Sequence, residues 1–327
     1  MKFFPAVAQL VTAALLMALT GGVVAQQAYP NKTIRLIVPF PPGGGVTIIA
    51  RLIAPKLMEG LGQPVIVDNR PGGNTIIGTE AVAKAAPDGY TLLMISSAHV
   101  INHFTLPNLP YDSFKDFAPV ATSYKSRYIL IAHPSLPANN LREFIAPAKA
   151  RPGQLNYSSS GTGGVQHLAG ELFSVTAGVK IEHIPYKGGG PAITDLLGGQ
   201  VEFSFQPLST VFIHVKAGRL KALAVPDEVR APLLPQVPTF AEAGLPGFHV
   251  SSWGGVLAPA RTPRAIIDKL SAEIGRILAT PDMQKQLVNQ GQEALISTPE
   301  QFASMMKEEM TKIAALVKVV HIKPRQH

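Results

Sequence analysis

The residues best placed to do chemistry in this chain are glycines, serines and backbone amides. Ile34 to Arg51 reads IRLIVPFPPGGGVTIIAR: a β-branched apolar run, a turn rich in Pro and Gly, then an apolar helical pattern. Such a turn exposes successive N–H groups at a helix start, where the helix dipole adds partial positive charge. An anion can bind there without a charged side chain. Ser158–Gln166, SSSGTGGVQ, repeats the arrangement after another candidate strand, and its hydroxyls suit carboxylate or phosphate oxygens. A third turn, Pro185–Pro191 (PYKGGGP), offers Tyr186 for stacking or O–H donation and Lys187 as a counter-ion. Ser96–Asn102 (SSAHVIN) is a fourth, in which His99 fits a packed structural role better than a ligand-facing one. Taken singly, each of these also matches an ordinary βα turn or a solvated polar loop.

Other chemistries find little support. With no cysteine, the chain has no disulfide, thiol nucleophile, Cys-ligated zinc or iron–sulfur cluster. Ser158, Ser159 and Ser160 are candidate nucleophiles, yet no G-x-S-x-G elbow, H-E-x-x-H or Walker A sequence occurs. His99 and His103 share a helical spacing without a visible third metal ligand, and no pair of acids is marked out for glycosidic chemistry. A dinucleotide fingerprint is approached by the first glycine turn and by Asp68 after the next strand. It fails in detail, because Ile48 stands where the third glycine belongs and Pro41 and Pro42 fill the turn. An exported enzyme and a Rossmann-type dinucleotide-binding protein are therefore the alternatives to binding alone. No catalytic residue, metal or cofactor is expected.

These turns need strands and helices to hold them. Candidate strands are Ile34–Pro39, Val65–Asp68, Thr91–Ile95, Tyr128–Ala132, Leu155–Ser158, Ile181–Ile184, Val201–Phe205, Leu220–Val225 and Ser252–Ala258. Helical patterns at Thr47–Glu59, Thr75–Lys84, Leu141–Ala150, Gly164–Thr176 and Ala192–Leu197 alternate with them, which predicts parallel α/β sheets. Two helices close the chain, Pro263–Ala279 and Pro299–Val320, each opened by a Thr-Pro pair. The second presents Phe302, Met306, Met310, Ile313 and Val317 as a core stripe. Terminal helices of this kind pack back onto an earlier domain. The pattern predicts two lobes, 29–128 plus 253–327 and 129–252, joined by two crossing segments with a cleft between them.

Residues 1–25 read as a cleaved export signal. Lys2 is followed by an apolar run, Ala6–Leu19, too short to span a membrane, with Val23 and Ala25 at the −3 and −1 positions of a cleavage site. A periplasmic mature chain starting near Gln26 is expected, with 28 basic and 21 acidic residues, a net charge of +7. The cations are scattered singly, which suits a small anionic ligand better than nucleic acid.

Several longer blocks carry a resemblance. YPNKTIRLIVPFPPGGG (Tyr29–Gly45), GQPVIVDNRPGG (Gly62–Gly73), KAAPDGYTLLM (Lys84–Met94) and LPYDSFKDFAPV (Leu109–Val120) come first. HLAGELF (His167–Phe173), HIPYKGGGPAITDLLGGQV (His183–Val201), VPTFAEAGLPGF (Val237–Phe248) and SWGGVLAPA (Ser252–Ala260) follow. In this order they make the chain resemble a Bug-type extracytoplasmic solute receptor, the substrate-binding component of tripartite tricarboxylate transporters. The resemblance implies a type II periplasmic binding fold, a Venus flytrap whose two lobes are mainly parallel sheets flanked by helices. It implies a small carboxylate as ligand, an organic acid, aromatic or dicarboxylate. It further implies a monomer serving membrane permease subunits or a sensor kinase.

By match to the family's motifs, Phe40, Pro41, Gly43, Gly44 and Gly45 would line the first lobe. Ser159, Ser160, Gly161, Thr162, Gly163 and His167 would lie across the cleft, with Lys187 and Gly188 nearby. Three departures stand out. Thr47 occupies the place of a common Asp, which implies that amino-acid ligands are disfavoured. Gln206-Pro207-Leu208 replaces a segment that usually carries Asn or Asp near the cleft, moving any polar contact onto Gln206. Pro55 and Pro147 fall inside helical patterns, where a kink or an end is expected.

Overall fold

The computed structural model describes residues 29–106 and 108–320; the expected export signal lies outside them. The chain builds two α/β lobes on two sheets that share one long strand. In the first lobe β1 (Ile34–Val38), β2 (Val65–Asn69) and β3 (Thr91–Ser96) are parallel, in the order β2-β1-β3. Helices α1 (Gly45–Leu61), α2 (Ile76–Ala83) and α3 (Ala98–Thr105) follow them in turn. The long strand β4 (Phe117–Ala132) then leads into the second lobe.

There β5 (Asn156–Ser159), β6 (Glu182–Pro185) and β7 (Phe203–Pro207) form a parallel group, and β8 (Lys221–Ala224) pairs with β4. Between them lie α4 (Leu141–Ala150), α5 (Val165–Ala177), α6 (Gly189–Leu197) and α7 (Leu208–Lys216). The chain returns on β9 (Ser251–Pro259), antiparallel between β3 and β4. It closes with α8 (Arg264–Leu278), α9 (Pro281–Asn289), the short β10 (Gln292–Ala294) beside β4, and α10 (Pro299–Val320). Each sheet thus has a parallel half made of βα units and an antiparallel half made by the crossing strands.

The switch between sheets is sharp. Arg127 is the last residue of β4 paired with β9, and Tyr128 is the first paired with β7. Register breaks at Pro119/Ala121 and Thr122/Tyr124 bend the strand toward that point. Arg127 binds Glu293 of β10 through two nitrogens and Asp227, beyond β8, at 2.7 Å; Lys125 reaches the same Asp227 at 2.8 Å. One buried guanidinium therefore ties both lobes to the crossing.

Apolar periodicity explains the cores. Ile34, Leu36 and Val38 of β1 meet Ile49, Ile53 and Leu57 of α1 and Leu270 and Ile274 of α8. The stripe read on the last helix is core: Phe302, Met306 and Ile313 are buried among Trp253, Leu257 and Ile101. In the second lobe Phe144, Phe173, Phe203, Phe205, Phe240 and Phe248 form one aromatic cluster.

Several elements differ from expectation. The strand predicted from Tyr128 begins at Phe117, its first half disguised by Pro119, Lys125 and Arg127. Ser96–Asn102, read as a loop, contains most of α3, and α7, α9 and β10 had no assignment. Pro55 and Pro147 do not end their helices, since α1 and α4 run through them. The carbonyls they leave unbonded, of Arg51 and Glu143, sit on exposed residues where water can satisfy them.

Candidate functional site

β1 ends at Val38 because three prolines follow within four residues and cannot extend its ladder. Gly44 is the N-cap of α1, which has no side-chain cap and no acid in its first turn. Pro41 to Gly45 are exposed, and Phe40 is anchored against the core. Thr47 is only 1% exposed. Its hydroxyl donates to the Pro41 carbonyl (3.1 Å) and accepts from Asn69 Nδ2 (2.8 Å), which also reaches the Phe40 carbonyl at 2.9 Å. Thr47 therefore braces the turn from behind, and its hydroxyl faces the interior. Asn69, at the end of β2, is a positioning residue that the sequence reading missed; its signal was an Asn closing a strand before a Pro-Gly turn.

The β5–α5 loop is built on a buried polar scaffold. Ser160 donates its N–H to Gln166 Oε1 (2.9 Å), and its hydroxyl bonds the same oxygen. Gln166 Nε2 donates to Gln206 Oε1 (2.8 Å), and Gln206 Nε2 donates to Ser204 Oγ (2.9 Å). Gln206 is 1% exposed, so it acts on the loop through Gln166 from beneath. The Gly161 N–H goes to Ser159 Oγ (3.1 Å) and the Gly163 N–H to His167 Nδ1 (3.0 Å). The N–H groups of Thr162, Gly164 and Val165 have no partner among the described residues. The loop thus divides its donors, some bonded inward and some left at the start of α5.

Gly163 has φ +82°, and a Cβ on it would sit 2.9 Å from Thr105 Cβ at the end of α3. Only glycine fits there, where the lobes touch. The third turn is tied to the second: Tyr186 N–H donates to the Ser159 carbonyl (3.0 Å) and Gly188 N–H to the Ser160 carbonyl (3.1 Å). Gly188 is the N-cap of α6, again without a side-chain cap. Lys187 is exposed, while the Tyr186 hydroxyl is committed to Asp195 Oδ2 at 2.8 Å.

Electrostatics keep the histidines neutral. His167 and His183 stack with ring centroids 4.0 Å apart. Burial lowers His167 to about 4, and burial plus the neighbouring His167 lowers His183 to about 3. Because His167 Nδ1 accepts from Gly163, its proton sits on Nε2. Ser159 Oγ lies 2.6 Å from His183 Nε2 and superficially resembles a nucleophile with its base. Ser159 is fully buried, and a histidine with so low a pKa is a poor base near neutrality. His99 is core, as read: it is buried, stacked with Tyr111 and lowered to about 4 by burial. Among the described residues no cluster of His, Asp or Glu could hold a metal.

A glycine at the N-cap, rather than the missing side-chain cap that α2, α3, α7 and α8 share, marks these three helices. Asn140 caps α4 and Thr280 caps α9 with side-chain oxygens, whereas α1, α5 and α6 start on glycine with free N–H groups. A family model, the tripartite tricarboxylate transporter family receptor, matches residues 49–322. The chain belongs to this family. Solved members are periplasmic solute-binding proteins. BugT of Bordetella pertussis is 39% identical over 297 residues, 90% of this chain and 91% of BugT. Rpa4515 of R. palustris, solved with adipate, is 34% identical, with TM-score 0.83 over 91% of this chain and all of that one. MatC (Rpa3494) of Rhodopseudomonas palustris, solved with bound malate, is 34% identical, with TM-score 0.76 over 88% of this chain and all of that one. The uncapped helix starts present N–H donors without adding buried charge.

Proposed function

We propose that this receptor captures a small carboxylate between its lobes and delivers it to permease subunits or a sensor. The observation that carries the reading is that α1, α5 and α6 alike begin on glycine without a side-chain cap or a first-turn acid. Phe40, Pro41, Gly43, Gly44 and Gly45 would hold the anion from the first lobe. Ser160, Gly161, Thr162, Gly163, Lys187 and Gly188 would close on it from the second. Thr47, Ser159, His167 and Gln206 would shape the turns without touching the ligand. That two relatives are solved with dicarboxylates supports the ligand class. The lobe division at 128/129 and 252/253 fits the change of strand partners on β4 and the return on β9. Ligand would act by population shift, favouring the state in which both sets of amides engage it.

The test is a thermal-shift screen of mature protein unfolded and refolded to strip carried ligand. The panel holds mono-, di- and tricarboxylates, aromatic acids, acidic amino acids and NAD. A ligand at about 100 times its Kd adds roughly 2.7 kcal/mol. Stabilisation by a subset of carboxylates is expected. Stabilisation by NAD alone would overturn the reading.

A further inference from the structure

A groove of about 460 Å³ runs between α10 of the first lobe and α5 of the second, and none of the residues assigned to the carboxylate lines it. Val165, Leu168 and Leu172 of α5 form one wall; Ile101 of α3, with Ile313 and Leu316 of α10, forms the other. Beside these walls the Glu309 carboxylate of α10 accepts a hydrogen bond from Trp253 Nε1 on β9. Trp253 lies on a crossing strand, opposite Lys125 of β4 and two residues from the partner of Arg127. Burial pushes the Glu309 carboxyl up to about 7, although the Trp253 N–H and the Lys312 charge pull it down. The charged and titratable groups facing it are Glu308 and Lys312 on α10 and His249 between β8 and β9. Among the described residues, α3 and α5 present only apolar side chains to the groove.

The two walls belong to different lobes, so rotation of the lobes changes the width of the groove. Val165 directly follows Gly164, the N-cap of α5, and Leu168 is buried in one cluster with Ile101, Trp253 and Ile313. The helix that carries a ligand turn at its start is thus also the movable wall. Water favours a carboxylate, and dry apolar walls favour the neutral acid. We propose that drawing the α5 turn toward the first lobe shuts this groove, and that Glu309 is a proton-linked latch on that closure, protonated when the groove is shut and ionised when parted lobes admit water. The inference rests on the carboxylate reading above, in which ligand favours closure. Ligand capture and proton uptake then become reciprocal: protons tighten binding, and ligand holds the proton.

Trp253 is the only tryptophan in the chain, so its fluorescence reports on the carboxyl it bonds. The experiment titrates ligand-stripped protein between pH 5.5 and 8.5, with and without a saturating carboxylate from the thermal-shift screen. Kd is measured at pH 6 and pH 8 by calorimetry. Without ligand the fluorescence should titrate with a midpoint near 7. Ligand should raise that midpoint by about half a unit or more, and Kd should be about threefold or more tighter at pH 6 than at pH 8, since one unit is tenfold. Glu309→Gln, whose amide oxygen still accepts from Trp253, should remove both the titration and the pH dependence of Kd. Histidine also titrates near neutrality, so His249→Asn is the control and should behave as wild type. A midpoint that ligand leaves unmoved or lowers would overturn the inference. So would a pH dependence that survives Glu309→Gln or vanishes in His249→Asn. If no carboxylate binds, the carboxylate reading falls and the latch with it, whereas binding with an unshifted midpoint overturns the latch alone.

Discussion

Replacing Gln166 by Leu tests whether the β5–α5 loop is held from beneath. Gln166 is 6% exposed and links Ser160, at the surface, to Gln206, which is 1% exposed. Leucine roughly keeps the volume but leaves three polar groups without this partner, the Ser160 N–H, the Ser160 hydroxyl and Gln206 Oε1. A buried orphan costs about 1–3 kcal/mol. Ser160 is partly exposed and can recover water, so its share is small, while Gln206 bears most of it. The single variant should lose about 3 kcal/mol, or roughly 5 °C in Tm for about 300 residues. Freeing the loop should also weaken carboxylate binding about fivefold, the cost of re-ordering roughly one residue.

The decisive form is a double-mutant cycle read by urea denaturation of ligand-free protein. Gln206→Met alone strands Gln166 Nε2 and should cost about 1–2 kcal/mol. Together, the two changes exchange an amide pair for apolar contact, and removing both partners is nearly neutral beside removing one. The double variant should therefore retain about 1.5 kcal/mol more than the sum of the singles. Additivity within about 0.5 kcal/mol would show that the two glutamines do not act as a unit, and would refute the relay.

Two further outcomes follow from the same site. His167 and His183 are held neutral, with folded pKa values of about 4 and 3 against an ordinary 6.5. The unfolded chain then binds more protons below about pH 7, so stability falls as the pH drops from about 7 toward 4. The loss should be about 1–2 kcal/mol for each ring after allowing for partial exposure. Urea midpoints between pH 7.5 and 5 should flatten in His167→Gln, and an unchanged slope would refute this origin. Gly163→Ala places a methyl 2.9 Å from Thr105 on a left-handed backbone. It should cost about 1–2 kcal/mol and weaken ligand binding more than remote glycine substitutions of equal stability cost. Wild-type affinity in this variant would show that the contact between the lobes does not matter for binding.

What was legible in the sequence followed from local rules. β1, the glycine turn and α1 were readable because a β-branched run, a Pro-Gly turn and an apolar helical stripe each obey a short-range period. The amphipathic α8 and α10 were readable for the same reason. β4 was not, since its first half is an interior strand whose single proline and two cations are explained by bulges and by Asp227 and Glu293, about 100 and 166 residues away. Within the site, the glycines announced where donors would be. Which donors are already bonded inward was invisible, because that depends on Asn69 and Gln206, brought in from other elements, and on how Ser159, Gln166 and His167 turn within their own segment. Thr47 and Gln206 were named as candidate ligand residues without that information; both are almost unexposed and bonded inward, which is why the proposal gives them a supporting role.

On the proposed reading, a site that grips an anion mainly with amides has a consequence for release. A buried guanidinium left by its ligand would keep an uncompensated charge, at a cost of several kcal/mol. Arg127 escapes that cost because its partners, Asp227 and Glu293, are covalently part of the chain. The starts of α1, α5 and α6 hold only partial charge, and water can satisfy their N–H groups when the lobes part. On the proposed reading, closing would exchange water for carboxylate oxygens, and opening would reverse the exchange without stranding an ion. The fixed charge at these turns would then be the exposed Lys187, which water can solvate when the lobes part, while the buried charge of Arg127 stays paired at the crossing.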